Sequence, residues 1–298
     1  MERIRLTERV HYLHGGVNSG LVETEKGLLV IDSGLDRSAA NRIVRAAEEL
    51  KRPLVAVLNT HAHADHYGGN AQLVRKLGIP VYAPAVEEAV IREPRYEPIY
   101  LFGGAAPIAD LENRFLQAEP SPVDHVVAPG TVITIDGTEL EVLDLSGHSI
   151  AQVGIRVAGV LFAADAFFGL EALKKHRIPY NVDAEKTRRS MERVGETQAD
   201  WYVPGHGEAL QDPRATLTEN IDVIDSTMRW LTTRLDEAPA TTDDLLVSMA
   251  EFFGLELGNP TSFVLYRTTL LGYLTSLHRA GGITARIADA RWLWAGGF

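Results

Sequence analysis

The chain has 298 residues, of which 45% are hydrophobic and 23% charged, the balance of an ordinary globular protein with room for one large domain and a small one. Its formal net charge of −11 argues against a broad polyanion-binding face. With no Cys, disulfides and thiolate ligands are excluded, and any metal is left to His and carboxylates.

The first ten residues alternate charged and apolar side chains and carry no apolar core of signal-peptide length. Short strands are predicted at Val17 to Glu23 and at Gly27 to Asp32. A helix follows from Ser38 to Leu50, with Ile43, Val44, Ala47 and Leu50 at helical spacing. Pro53 to Thr60 is short, apolar and rich in Val and Leu, which predicts a buried strand. Asn70 to Leu77 reads as a helix stopped by Gly78. Between these two elements lies Leu-Asn-Thr-His-Ala-His-Ala-Asp-His, which places His61, His63, Asp65 and His66 within six residues. Four such donors rarely crowd together unless a metal is there. His61 and His63, two apart on extended chain, project from one side. Asp65 and His66 project differently and suit a second ion.

Residues 84 to 125 break the strand–helix pattern with six prolines, Gly103-Gly104 and several aromatics. Glu87 to Arg92 and Asp110 to Gln117 are predicted as helices within it, and the segment is read as a lid or substrate wall. Beyond it, three further donors each follow a strand-like run. They are His148 after Leu140 to Leu145, Asp165 at the end of the apolar run Val153 to Ala164, and His206 after Trp201 to Val203. Glycine beside His148 and on both sides of His206 lets the backbone come close to a site. The run Val153 to Leu170 is interrupted by Arg156 and Asp165, so no membrane span is expected. A second substrate wall is expected at Phe167 to Asn181, where Phe167, Phe168, Lys174 and Tyr180 are the candidate substrate contacts. His176 has no ligand context.

From Asp212 the chain turns helical. Asn220 to Leu235 is predicted as one helix, Thr242-Asp243-Asp244 opens another, and Asn259-Pro260 starts a long one that runs to Ala280 and stops at Gly281-Gly282. Ile283 to Ala295 then suits a hairpin. This tail carries seven Arg, no Lys and eleven Asp plus Glu. Nucleic-acid binding is therefore not expected, since phosphate neutralisation dominates such affinity; packing or homodimer formation is.

In these motifs and their order, residues 10 to 210 resemble the metallo-β-lactamase superfamily of hydrolases. The resemblance implies an α/β fold of the αββα sandwich type over residues 1–211, followed by a small helical domain, 212–298, similar to the winged-helix tail of one branch. It assigns His61, His63 and His148 to a first metal, Asp65, His66 and His206 to a second, and Asp165 to a bridge between them. Asp32, at the end of its strand, becomes a supporting residue. Two zinc ions are the implied cofactors, with iron or manganese also compatible. The implied activity is hydrolysis of an ester, thioester or lactone of a small molecule by a metal-bridging hydroxide oriented by Asp65. A phosphodiesterase or ribonuclease and an iron-dependent persulfide dioxygenase are the alternatives, and a cytoplasmic location is expected.

Overall fold

A computed structural model describes residues 2–297. Seven strands form the first sheet in sequence order: β1 (Glu2–Arg5), β2 (Val10–His14), β3 (Ser19–Glu23), β4 (Leu28–Ile31), β5 (Leu54–Leu58), β6 (Val81–Pro84) and β7 (His125–Val127). β1 to β4 are an antiparallel meander, and β4 to β7 are parallel. Parallel neighbours need a crossover. Helix α1 (Arg37–Leu50) supplies one, and the pair α2 (Ala64–Tyr67) and α3 (Asn70–Leu77) supplies the next. α1 begins where the Asp36 side chain accepts from the Ser38 and Ala39 amides, and α3 ends on Gly78 at φ 65°.

The second sheet has the order β12-β11-β10-β9-β8. Its strands are β8 (Thr131–Ile135), β9 (Thr138–Asp144), β10 (Val153–Val157), β11 (Val160–Ala164) and β12 (Trp201–Pro204). The apolar run from Val153 to Ala164 is thus two strands. Ala158 and Gly159, at φ 47° and 81°, make the kind of tight left-handed turn that closes a two-residue hairpin.

Side-chain alternation builds the layers. In β4, Leu29 and Ile31 face the second sheet, while Leu28 and Val30 face the helical side with Ile43 and Ala47 of α1. In β11, Val160 and Phe162 point between the sheets, and Leu161 and Ala163 point the other way. With period-2 strands, inner strands such as β4 and β11 bury both faces, while the edge strands β1 and β8 stay largely exposed. The result is the expected four-layer αββα sandwich. Gly20 in β3 lets the sheets close, because a Cβ there would lie 2.6 Å from the Phe162 ring.

Helices α4 (Glu87–Arg92) and α5 (Tyr96–Leu101) lie within the 84–125 excursion. The helix predicted over Asp110 to Gln117 is absent: only a 3-10 turn forms, at Ala109–Leu111. Asn113 explains this, since its side chain donates to the Asp110 carbonyl and accepts from the Phe115 amide, giving the backbone an alternative to helix. α6 (Leu170–His176) and α7 (Ala184–Glu196) follow β11.

The tail consists of α8 (Arg214–Glu237), α9 (Thr242–Phe253), α10 (Pro260–Arg279) and the hairpin β13 (Ile283–Ala288) and β14 (Arg291–Gly296). A bridge from Ala240 to Trp294 joins the α8–α9 connection to the hairpin. Leu217, Ile224 and Leu231 of α8 and Leu270 and Tyr273 of α10 share one core with Leu145, Leu161 and Phe167. The tail therefore serves as the outer helical layer over the second sheet. No helix among the described residues is long and apolar enough to cross a membrane.

Gly20→Ala should cost about 1–3 kcal/mol in urea unfolding because the added methyl has no room. Adding Phe162→Leu should recover part of that loss.

Candidate metal centre

The residues singled out by spacing meet at one edge of the sandwich, beyond the ends of β5, β9, β11 and β12. His61 is on the loop leaving β5, His63 is the N-cap of α2, and Asp65 and His66 lie within that one-turn helix. Three donor groups form: His61 with His63 and His148; His61 with His66 and Asp165; and Asp65 with His66 and His206. In each, the donor atoms lie within 4.8 Å of one another. Asp165 Oδ2 stands 3.4 Å from His148 Nε2 and 3.3 Å from His206 Nε2, so one carboxylate reaches both ends of the cluster.

The ring nitrogens facing inward are selected by what holds the opposite nitrogen. Thr60 Oγ1 gives its proton to Asp32, so it can accept from His61 Nδ1 at 3.1 Å. His148 Nδ1 donates to the Tyr180 carbonyl at 2.8 Å, and His206 Nδ1 to the Gly16 carbonyl at 2.7 Å. His66 Nδ1 donates to Asp32 at 2.9 Å. These assignments follow from the acceptors, and they turn Nε2 of all four rings inward, a lone pair wherever the ring is neutral. His63 turns Nδ1 inward instead, 3.0 Å from His61 Nε2 and 2.9 Å from His148 Nε2. A proton on His63 Nδ1 could satisfy one of those contacts. The other would be two lone pairs face to face, an arrangement that requires a cation. Further in, His66 Nε2 and Asp165 Oδ1 face each other at 3.3 Å, both buried and with no other partner. The residues present therefore fit metal ions, with seven nitrogen and oxygen donors compatible with zinc, iron or manganese.

The surrounding residues are held as firmly. Asp32, at φ 58°, accepts from the Thr60 amide, the Thr60 hydroxyl and His66, the supporting place that the resemblance implied. The Asn59 side chain donates to the His66 carbonyl and is itself held by Asn70, which is held by Ser33. Gly205 is required beside the site, because a Cβ there would fall on the Asp165 carboxylate. Two further supports escaped sequence reasoning. Glu87 on α4 accepts from the Ala62 amide, the Ser149 hydroxyl and the Ala151 amide, tying the His61–His66 loop to the His148 loop. Asn18 donates to the Pro204 and Gly207 carbonyls and so holds the His206 loop. Neither residue sits in a local motif, and only a buried position marks them.

A cavity of about 290 Å³ opens on the cluster. Beside the metal-facing groups it is lined by Glu97, Phe115 and Leu116 from the 84–125 excursion, Phe168, His176 and Tyr180 from the second expected wall, and Leu265 from α10. The excursion thus does form a wall, and the tail contributes to it. Of the four expected substrate contacts, Phe168 and Tyr180 line the cavity. Phe167 does not: it is fully buried in the core beneath the helical layer, because its neighbour's side chain takes the cavity side. Lys174 lies outside as well, in an adjoining cleft with Lys175, Arg177 and Glu256 that shares His176, Tyr180 and Leu265 with the cavity.

Protonation divides the cluster in two. Burial lowers His61 well below the usual imidazole range, His63 to about 4 and His148 to about 3. Burial also opposes charge on His66 and His206, but there the Asp165 carboxylate, aided by Asp65 and, for His66, Asp32, wins. His66 is held well above its ordinary range and His206 is pushed up to about 10.

The sequence from 13 to 206 matches the family model of the metallo-beta-lactamase superfamily. The hydroxyacylglutathione hydrolase GloC of Haemophilus influenzae is 28% identical over 148 residues, 49% of this chain and 64% of that protein. An atrochrysone carboxyl ACP thioesterase of Aspergillus fumigatus is 24% identical, covering 70% of this chain and 56% of its own. The exodeoxyribonuclease YycJ of Bacillus anthracis is 27% identical, covering 58% and 66%. The matches to these relatives thus span about two thirds of their length or less. Among solved structures, a beta-lactamase domain protein from Burkholderia ambifaria shares the fold with a TM-score of 0.78, at 17% identity over 99% of this chain and 94% of that one. The chain belongs to the metallo-β-lactamase superfamily.

Two outcomes test this geometry. At pH 7.5 the trihistidine group is already neutral, whereas His66 and His206 each hold a proton that a metal must displace. Metal loading should therefore release roughly two protons per chain, measured by calorimetry in buffers of different ionisation enthalpy, and affinity should fall as pH is lowered. Gly205→Ala should weaken metal binding by about 10–100-fold through the displaced Asp165 carboxylate, read by titration with a chromogenic chelator.

Proposed function

We propose that the protein is a dinuclear metal-dependent hydrolase acting on a small acyl substrate, a thioester, ester or lactone. The observation that carries this reading is the pair of donor groups spanned by the single carboxylate of Asp165 at the floor of a small, largely apolar cavity. Two zinc ions are the proposed occupants, with His61, His63 and His148 holding one, Asp65, His66 and His206 the other, and Asp165 between them. When bound, such a pair supplies a hydroxide near neutral pH and polarises the carbonyl under attack.

The chain's own residues supply the rest. Asp65, with its side chain 31% exposed at the cavity, is held ionised: burial opposes the charge, but His66 and His206 outweigh it. Its carboxylate can accept a hydrogen bond from the attacking water and so orient it. Phe168 stacks on His206 with ring centroids 5.5 Å apart, and with Phe115, Leu116 and Leu265 it excludes bulk water from the reacting group. The names of the hydrolase and thioesterase relatives support an acyl substrate.

A phosphodiester substrate is the second reading, supported by the exodeoxyribonuclease relative. The small cavity and the acidic tail, with seven Arg against eleven Asp plus Glu, weigh against a nucleic-acid strand.

The test is metal content per chain together with turnover on a panel of thioesters, esters, lactones and phosphodiesters. Two zincs with hydrolysis of acyl substrates is the expected result, and His61→Ala or Asp165→Ala should remove most metal and about 100-fold or more of the rate. A single iron with oxygen consumption and no hydrolysis would replace this reading with a dioxygenase.

A further inference from the structure

Three carboxyl groups line the cavity. Two of them, Asp65 and Asp165, belong to the donor groups; the third, Glu97, belongs to none. It projects from α5, inside the 84–125 excursion, and is 2% exposed. Its Oε2 is buried and has no hydrogen-bond partner. Glu87, equally buried on the preceding helix, shows what a structural carboxylate in this region looks like, with three donors divided over its two oxygens. Glu97 has no such shell. A buried carboxyl without partners costs stability, and groups of that kind persist where a ligand completes them.

The geometry points to Glu97 as a specificity-determining residue that binds a neutral hydrogen-bonding group of the substrate, a hydroxyl or a carboxamide, while the scissile group sits among the metal ligands. A neutral group fits for reasons of charge. An anion would meet Glu97 beside Asp65 and Glu87, and an ammonium would share a small cavity with the metals and the histidines. A hydroxyl or amide can donate to the carboxylate or accept from the carboxylic acid. Burial, reinforced by Asp65 and Glu87, holds this carboxyl well above the usual range. Phe115, Leu116 and Leu265 form an apolar wall beside it, and Tyr180, whose buried hydroxyl also lacks a partner, lines the same cavity. The inference rests on the acyl-hydrolase reading only for what happens at the metals. Position and missing partners are features of the chain itself.

The experiment compares zinc-loaded wild type with Glu97→Met and Glu97→Gln. One measurement is the melting temperature without ligand. Methionine fills a similar volume and removes the partnerless carboxyl, so Glu97→Met should melt a few degrees above wild type, roughly 2–4 °C. The other is affinity for pairs of small carboxylic acids that differ only in a hydroxyl or a carboxamide. Wild type should bind the substituted member of at least one pair about tenfold more tightly. Glu97→Met should lose that preference, and Glu97→Gln should keep part of it.

A Glu97→Met protein that melts below wild type would make the residue structural and overturn the proposal. So would a wild type indifferent to the added group in every pair, or a preference that survives in Glu97→Met. Failure of the hydrolase reading is a separate result, seen as no turnover by zinc-loaded wild type on any acyl substrate.

Discussion

The carboxylate of Asp32 is the point on which the metal centre depends. It accepts from the backbone and hydroxyl of Thr60 and from the ring of His66, so it joins the ends of β4 and β5 to the one-turn helix α2. By taking the Thr60 proton it leaves that hydroxyl to accept from His61. One buried anion thereby sets the orientation of two ligand rings, one in each half of the cluster. This arrangement needs Asp32 in the left-handed region at φ 58°, which Asp tolerates better than most residues. The backbone cost is offset by hydrogen bonds to an ionised group, stronger than those between neutral partners.

The supports of the site come from several elements at once. The His148 loop is fixed to the His61–His66 loop through Glu87, and the His206 loop is fixed to the N-terminal meander through Asn18. Four strand ends supply donors, and strand ends in a sandwich packed on both faces move little. The cavity above is built differently. Its walls come from the proline-rich excursion, the segment after Asp165, and α10 of the tail. Leu101, Leu111 and Leu116 of the excursion pack with Val264 of α10, so the excursion and the tail form one wall.

Much of this was legible from residue order. His61, His63, Asp65 and His66 lie close in sequence, and local spacing is what one-dimensional pattern can register. The strand at 54–58, the helix stopped at Gly78 and the helix opened by Asn259-Pro260 follow from short-range backbone chemistry. Expectation failed where two local preferences competed or where a neighbour decided. Asn113 diverted the predicted Asp110–Gln117 helix into a turn through its own side chain. Phe167 and Phe168 are identical in character, and only the path of the chain after β11 sends one into the core and the other to the cavity.

By itself the sequence determined the candidate donors, the strand–loop placement of each and the family, because those depend on residue type, spacing and order. Tertiary structure alone decided which nitrogen of each histidine faces inward, since that is set by acceptors as distant as Gly16 from His206 and Tyr180 from His148. It also decided that Glu87 is satisfied and Glu97 Oε2 is not, and that a leucine of the last long helix overlooks the donor cluster. Those outcomes depend on contacts between segments far apart in the chain, where hydrogen-bond geometry and packing, rather than local propensity, set the energy.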